Sequence, residues 1–158
     1  NSKTYYKIKK NGQATKLSTV ETMAAVRLQK YKGNLKKAFN WSASLQYRGT
    51  VNVSKKTPTG YGLYGFKTSG GDCYVMASTF YWMAKVAGYD AHYVKGYFQK
   101  SGGRKGAHAW VEIDQKVGGK TKTYVYDPNF QQEYELNGYK LTYGAKKTLK
   151  YVNYKRVN

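Results

Sequence analysis

Cys73 is the only cysteine among 158 residues, and His92 and His108 are the only histidines. A thiol and an imidazole are the core of nucleophilic acyl transfer. The sulfur attacks a carbonyl, and the imidazole takes its proton and returns one to the leaving group. Cys73 follows Ser-Gly-Gly-Asp, residues 69–72, and opens the apolar run CYVMASTFYWMAKVAG, residues 73–88. With Asp72 as N-cap, the thiol falls in the first turn of a helix. Unpaired N–H groups and the positive end of the helix favour an anionic sulfur there. Gly70 and Gly71 allow close approach of backbone or substrate. The segment alone also fits a buried structural cysteine, a common fate of free thiols.

His108 opens HAWVEID, residues 108–114, directly after the Gly-rich SGGRKGA loop. Its place at the end of an element suits a site residue, whereas His92, inside DAHYVKGYF, reads as structural. The third group needed is an acid that orients the imidazole. Asp127 ends TYVYDP, and Gly118-Gly119 marks a hairpin between the strands before and after it. A register pairing Asp114 with Thr121 sets Asp127 directly opposite His108, with side chains roughly 5 Å apart. Trp110 and Val125 then share that face, and Val111, Ile113 and Tyr124 lie on the other. Asp114 is the rival acid, but it stands too far from His108 along the same strand.

These residues must be carried by a fold. TYYKIKKNGQATKL, residues 4–17, predicts a hairpin turning at Asn11-Gly12. The tail of a preceding module is the weaker alternative to a plain hairpin, and residues 1–17 are set apart from a catalytic domain over 18–158. Residues 18–33 predict a helix with Ser18 and Glu21 as a capping box and Val20, Met23, Ala24 and Leu28 on one face. Gly33 stops it. Asn34 starts a second helix, with Leu35, Ala38, Phe39 and Leu45 inward. Residues 48–71 are rich in Gly, Ser and Thr and predict mostly loop. Residues 73–88 predict a central buried helix ended by Gly88. The period then changes. Residues 91–98, 107–114 and 122–128 predict strands, and the tail 139–158 one or two more. Helices first and strands afterwards predict α+β, with an antiparallel sheet.

Composition narrows the partners. Lys and Arg number 28 against 8 Asp and Glu, for a formal charge of +20. Such a field draws polyanions, among them anionic cell-wall polymers. The positive charge is mostly lysine and is spread along the chain without a like-charge block, which argues against specific nucleic-acid reading. No apolar run is long enough to span a membrane, and no signal or transit peptide opens the chain. A lone cysteine excludes an internal disulfide, and there is no Cys/His cluster for zinc. Eighteen tyrosines with many Lys and Gly fit exported proteins of Gram-positive-type bacteria. The expected location is therefore secreted or at the cell surface.

In order along the chain stand Gly-x-Cys before an apolar helix, Gly96-Tyr97, His108-Ala109-Trp110, and Tyr124 to Pro128 as Tyr-x-x-Asp-Pro. The set resembles the transglutaminase-like superfamily of thiol enzymes, which is related to papain-like cysteine proteases. The resemblance implies that helices and a Cys-bearing helix pack on an antiparallel sheet. It also implies a nucleophile at Cys73, a general base and acid at His108, and an orienting acid at Asp127. Family members hold the oxyanion with the cysteine backbone N–H and a second donor. Trp41, Gln46, Tyr47 and Trp110 are the candidates for that donor and for support around the triad. Calcium, used by animal relatives, has no acidic loop here, and no metal or other cofactor is expected. The function implied is acyl transfer on protein or peptide amides by a monomer, as cross-linking, deamidation or hydrolysis. A protease or amidase acting on wall or surface peptides is the alternative within the fold. A non-catalytic cationic module binding anionic wall polymer is the alternative outside it.

Overall fold

Capping residues set the helix starts in a computed structural model that describes residues 6–8 and 11–158. Helix α1 (Thr19–Gln29) begins with the expected capping box, in which the Glu21 carboxylate accepts the Ser18 N–H at 3.1 Å. It buries Val20, Ala24 and Leu28, while Met23 is only partly covered. Gly33, at φ 77°, ends the turn that follows. The Asn34 side chain accepts the Lys37 N–H at 2.9 Å and caps α2 (Leu35–Ala43). Leu35, Ala38, Phe39 and Leu45 are buried, as their spacing predicts. The N-terminal hairpin is described in part: β1 (Tyr6–Ile8) pairs antiparallel with β2 (Ala14–Lys16). Residues 1–5, 9 and 10 of that segment lie outside the described residues.

The loop predicted over 48–71 is corrected. A two-residue strand, β3 (Gln46–Tyr47), runs into it, and its second half is helix α3 (Pro58–Thr68). Thr57 caps α3 by accepting the Gly60 N–H at 3.1 Å, and Pro58 sits where its missing N–H costs nothing. Glycines in a helix cost about 1 kcal/mol each relative to Ala, which hides α3 from a propensity reading. Packing reverses the sign. A Cβ on Gly62 would stand 2.7 Å from Trp82, and one on Gly65 would stand 2.5 Å from Thr79. Glycine therefore lets α3 lie directly on α4 (Cys73–Val86), the central helix. Between them, β4 (Gly70–Gly71) pairs in parallel with β3.

Helix α4 starts at Cys73 with Asp72 as N-cap, and Gly88 follows its end at φ 95°. Met76, Ala77, Phe80, Met83 and Ala84 have no exposed surface. The antiparallel sheet has the order β7-β6-β5-β8, from β5 (Asp90–Gln99), β6 (Lys105–Val117), β7 (Lys120–Tyr126) and β8 (Tyr151–Arg156). One face presents Ala91, Tyr93, Ala109, Val111 and Ile113 to a core shared with Phe39, Phe80 and Tyr126. The other holds Val94, Trp110 and Val125 under Leu141, Tyr143 and Tyr151 of the tail.

The register of the β6–β7 hairpin is also corrected. Asp114 faces Thr123, not Thr121, because Val117 pairs with Lys120. Pairing Asp114 with Thr121 would set residue 117 against 118 and leave no residue for a turn. The real turn uses both glycines at positive φ, 59° and 79°. The slip is two residues, so no side chain changes face.

Candidate active site

Asp72 holds the start of α4. Its carboxylate accepts the Val75 N–H at 3.1 Å, and burial pushes its carboxyl up against the pull of the neighbouring N–H groups. Among the described residues no acceptor meets the Cys73 N–H, which remains free for a ligand oxygen. Cys73 itself is partly exposed. The two glycines before it are buried rather than open. A Cβ on Gly71 would stand 2.3 Å from Val75, and one on Gly70 would stand 2.5 Å from the Arg48 Nε. Gly70 lets β4 lie against β3 and Arg48, and Gly71 lets the chain pass close to Val75 on its way into α4.

His108 Nε2 is 2.7 Å from Asp127 Oδ2, with side chains 3% and 0% exposed. That leaves Nδ1 for the thiol. The corrected register puts Asp127 across from Trp110, diagonal to His108, and the chain leaves the sheet there. Asp127 becomes the N-cap of α5 (Pro128–Tyr134), where Oδ1 accepts the Phe130 N–H at 3.0 Å. Helix α5 escapes the strand reading, although Asp-Pro is itself a helix-start signal. The carboxylate is thus fixed at both oxygens.

Burial alone would pull the His108 imidazolium down. The Asp127 charge and hydrogen bond, together with the Cys73 sulfur beside the ring, outweigh it and push His108 up to about 10. The imidazole is therefore protonated at neutral pH, with its charge set between an acid and a thiol.

Tyr151 is the site residue that the sequence reading misses. Its hydroxyl donates to Asp127 Oδ2 at 2.7 Å, and its ring lies 4.4 Å from that of Trp110. Burial first, and then the Asp127 charge, push the Tyr151 phenol well above its ordinary value. Only the placement of β8 beside β5 brings it there, and no local pattern around residue 151 announces it.

The candidates for a second donor separate. Gln46 and Tyr47 run beside Gly70 and Gly71 in the β3–β4 pair. Trp110 packs 5.8 Å from the His108 ring, but its indole N–H goes to the Tyr143 hydroxyl at 2.8 Å. It supports the histidine and is not a free donor. Trp41 is stacked on Phe66 at 5.7 Å, and the Arg27 guanidinium lies over its ring at 4.4 Å, so it serves the helical core. His92, Asp90 and Asp114 come within 4.8 Å of one another. Asp114 there already holds the Arg156 guanidinium through two hydrogen bonds of 2.8 and 2.7 Å.

The fold is that of a known class, and comparison with known proteins names it. The chain belongs to the transglutaminase-like superfamily, whose model matches residues 18–126. Among solved structures, the periplasmic domain of TgpA from Pseudomonas aeruginosa, bound to ethylmercury, is similar at a TM-score of 0.51 with 21% identity. The match covers 73% of this chain and 45% of that one. A candidate cysteine protease from Cytophaga hutchinsonii is similar at a TM-score of 0.48 with 14% identity, over 69% of this chain and 37% of that one. The chain thus spans less than half the length of either structure. No curated protein matches it. No helix among the described residues is long and apolar enough to cross a membrane.

Proposed function

We propose that the protein is a thiol acyl-transfer enzyme acting on protein or peptide amides, with Cys73 as nucleophile, His108 as acid and base, and Asp127 as the orienter of His108. The observation that carries this is a single buried imidazole held between the thiol and a carboxylate that has no exposed surface. The Cys73 thiolate attacks the amide carbonyl, a C–S bond forms, and the carbonyl π pair moves to oxygen. The free Cys73 N–H supports that oxyanion. As the oxyanion collapses, the C–N bond breaks, and His108 gives its proton to the departing amine. A thioester remains. Water or an amine then attacks it, His108 takes the incoming proton, and the thiolate leaves. Asp127 keeps Nε2 protonated so that Nδ1 faces the sulfur throughout. Gln46 and Tyr47 are the two candidates left for a second oxyanion donor.

We place the enzyme outside the cytoplasm, at a surface rich in anionic polymer. The +20 charge and the abundance of Tyr, Lys and Gly support this reading.

The test is direct. Iodoacetamide should label Cys73 in the folded protein faster than a free cysteine, and labelling only after unfolding would end the reading. A glutamine peptide, incubated with and without a primary amine, then reports the reaction by mass. Loss of about 17 Da with incorporated amine means cross-linking, gain of about 1 Da deamidation, and fragments proteolysis.

A further inference from the structure

A groove of about 410 Å³ opens where β5 meets β8, and Tyr74, Lys95, Tyr97, Ala107 and Lys155 are among its lining. Tyr74 follows Cys73 and Ala107 precedes His108. Gly96, between the two β5 residues, pairs with His108. The groove therefore starts at the neighbours of both reacting side chains.

Strand pairing gathers positive charge there. Lys95 stands directly across the β5–β8 ladder from Lys155. Residues so placed share a face with their Cβ atoms roughly 5 Å apart, and like charges there repel. Lys95 is on the face of β5 that carries Ala91 and Tyr93, and its Nζ lies 5.5 Å from the centre of the Tyr74 ring. It is half-buried, while Lys155 is exposed. Among the described residues neither ammonium makes an ion pair. A third lysine, Lys105, donates to the Asn153 side chain at the same groove, at 2.6 Å. None of the chain's eight acids lines it.

A β-bulge creates the lysine pair. Tyr97 faces Val152 and Phe98 faces Tyr151, a register that would set Lys95 against Tyr154. Instead Asn153 and Tyr154 together oppose Gly96, with Asn153 at φ 50°, and Lys155 moves up to face Lys95. A Cβ on Gly96 would stand 2.5 Å from the Tyr154 Cβ, so glycine is what admits the extra residue. Bulges of this kind re-aim side chains beside active sites. Here the re-aimed side chain is a cation brought against another cation, a repulsion that an anion between them offsets.

We infer that this groove is a subsite for a carboxylate of the peptide substrate, selected by Lys95 and Lys155. The inference rests on the acyl-transfer reading for its purpose, and its binding test does not need turnover. An anion held beside the thiol and the imidazole belongs to the molecule whose amide reacts. A phosphate group is the rival anion.

Cys73→Ala protein is titrated with a glutamine peptide flanked on both sides by Asp and with its Asn-flanked counterpart, while the amide resonances of residues 74, 97 and 155 are followed. The Asp peptide should bind about fivefold more tightly, and Lys155→Gln should remove most of that preference. Lys155 is exposed, so the variant tests the charge and not the fold. Lys36→Gln removes an equal charge from the exposed surface of α2 and should leave the preference intact, which separates a local site from the general field of the chain. Equal binding of the two peptides, a preference that survives Lys155→Gln unchanged, or one that Lys36→Gln weakens as much, overturns the subsite whether or not the protein is an enzyme. Glycerol 3-phosphate moving the same resonances in a Lys155-dependent way, with no such effect of the Asp peptide, would make this a phosphate site and overturn it too. In the Cys73 protein, Lys155→Gln should raise KM for the Asp peptide about fivefold, with kcat and the Asn-peptide KM unchanged. An unchanged KM for the Asp peptide overturns the inference. Failure of Cys73 to alkylate would end the acyl-transfer reading and leave the binding result standing.

Discussion

The chain has two histidines, and each stands against a carboxylate. His108 faces Asp127 at 2.7 Å, and His92 faces Asp90 at 2.9 Å. Distance does not separate them; their surroundings do. His108 and Asp127 are sealed from water, Asp127 is fixed by the Phe130 N–H and the Tyr151 hydroxyl, and the other side of the imidazole meets a thiol. The His92 side chain is 21% exposed, its Asp90 partner 64% exposed, and its Nδ1 lies 3.2 Å from the Asn158 carbonyl oxygen. Nearby Asp114 is held by Arg156, whose hydrogen bonds first, and then those of Thr123, keep the Asp114 carboxyl below its ordinary value. A histidine–carboxylate pair is common. It becomes a candidate site when it is dry, held rigidly by several elements, and turned toward a nucleophile.

Replacing each histidine by glutamine should break the symmetry most sharply. His108→Gln should slow Cys73 alkylation and amide turnover by about 10²- to 10⁴-fold, the usual worth of a positioned acid and base. His92→Gln should leave both within about twofold. Equal losses would mean that the thiol does not depend on the buried pair.

The carboxylates should differ next, in stability. Asp127→Asn leaves a buried imidazolium without its counter-charge and should cost about 3–5 kcal/mol in a denaturant titration. Asp90→Asn removes an exposed partner and should cost at most about 1 kcal/mol.

The buried pair should also leave a pH signature. His108 stands at about 10 in the fold, against about 6.5 in an unfolded chain. The folded state binds its proton more tightly, so its stabilisation is complete below about pH 6.5 and is lost as pH rises through about 10. Denaturant midpoints should fall over that window by an amount equivalent to a few kcal/mol, and His108→Gln should flatten the fall. A His108→Gln profile parallel to that of the parent would refute the raised value.

The smallest effect belongs to Tyr151→Phe. It removes one donor from Asp127 Oδ2 while the His108 contact and the Phe130 N–H remain. The expected cost is about 1 kcal/mol of stability. Turnover should drop a few-fold at most, since the tyrosine acts through Asp127.

Much of this molecule is legible in its sequence. Capping boxes, N-caps and turn glycines are local signals, and Ser18, Asn34, Asp72 and Gly118-Gly119 act where their chemistry says. The three candidate residues can be named because the types that can do acyl transfer are few in this chain. Other features cannot be read from neighbours. Helix α3 carries glycines that local propensity counts against it, and only its approach to Trp82 and Thr79 repays them. The β6–β7 register turns on whether the loop holds two residues, and α5 on whether Asp127 stays in the strand or caps a helix.

By itself, then, the sequence determined which residues can do the chemistry, which faces of the strands they occupy, and where most of the helices begin. These follow from side-chain type, a period of two, and hydrogen bonds within a few positions. Tertiary structure alone decided that Tyr151 reaches Asp127, that Trp110 gives its N–H to Tyr143, and that Trp41 belongs to the core. Those contacts join segments tens of residues apart. They exist because the tail folds back over the sheet and α5 packs beside α2 and α4, geometry that no local pattern encodes.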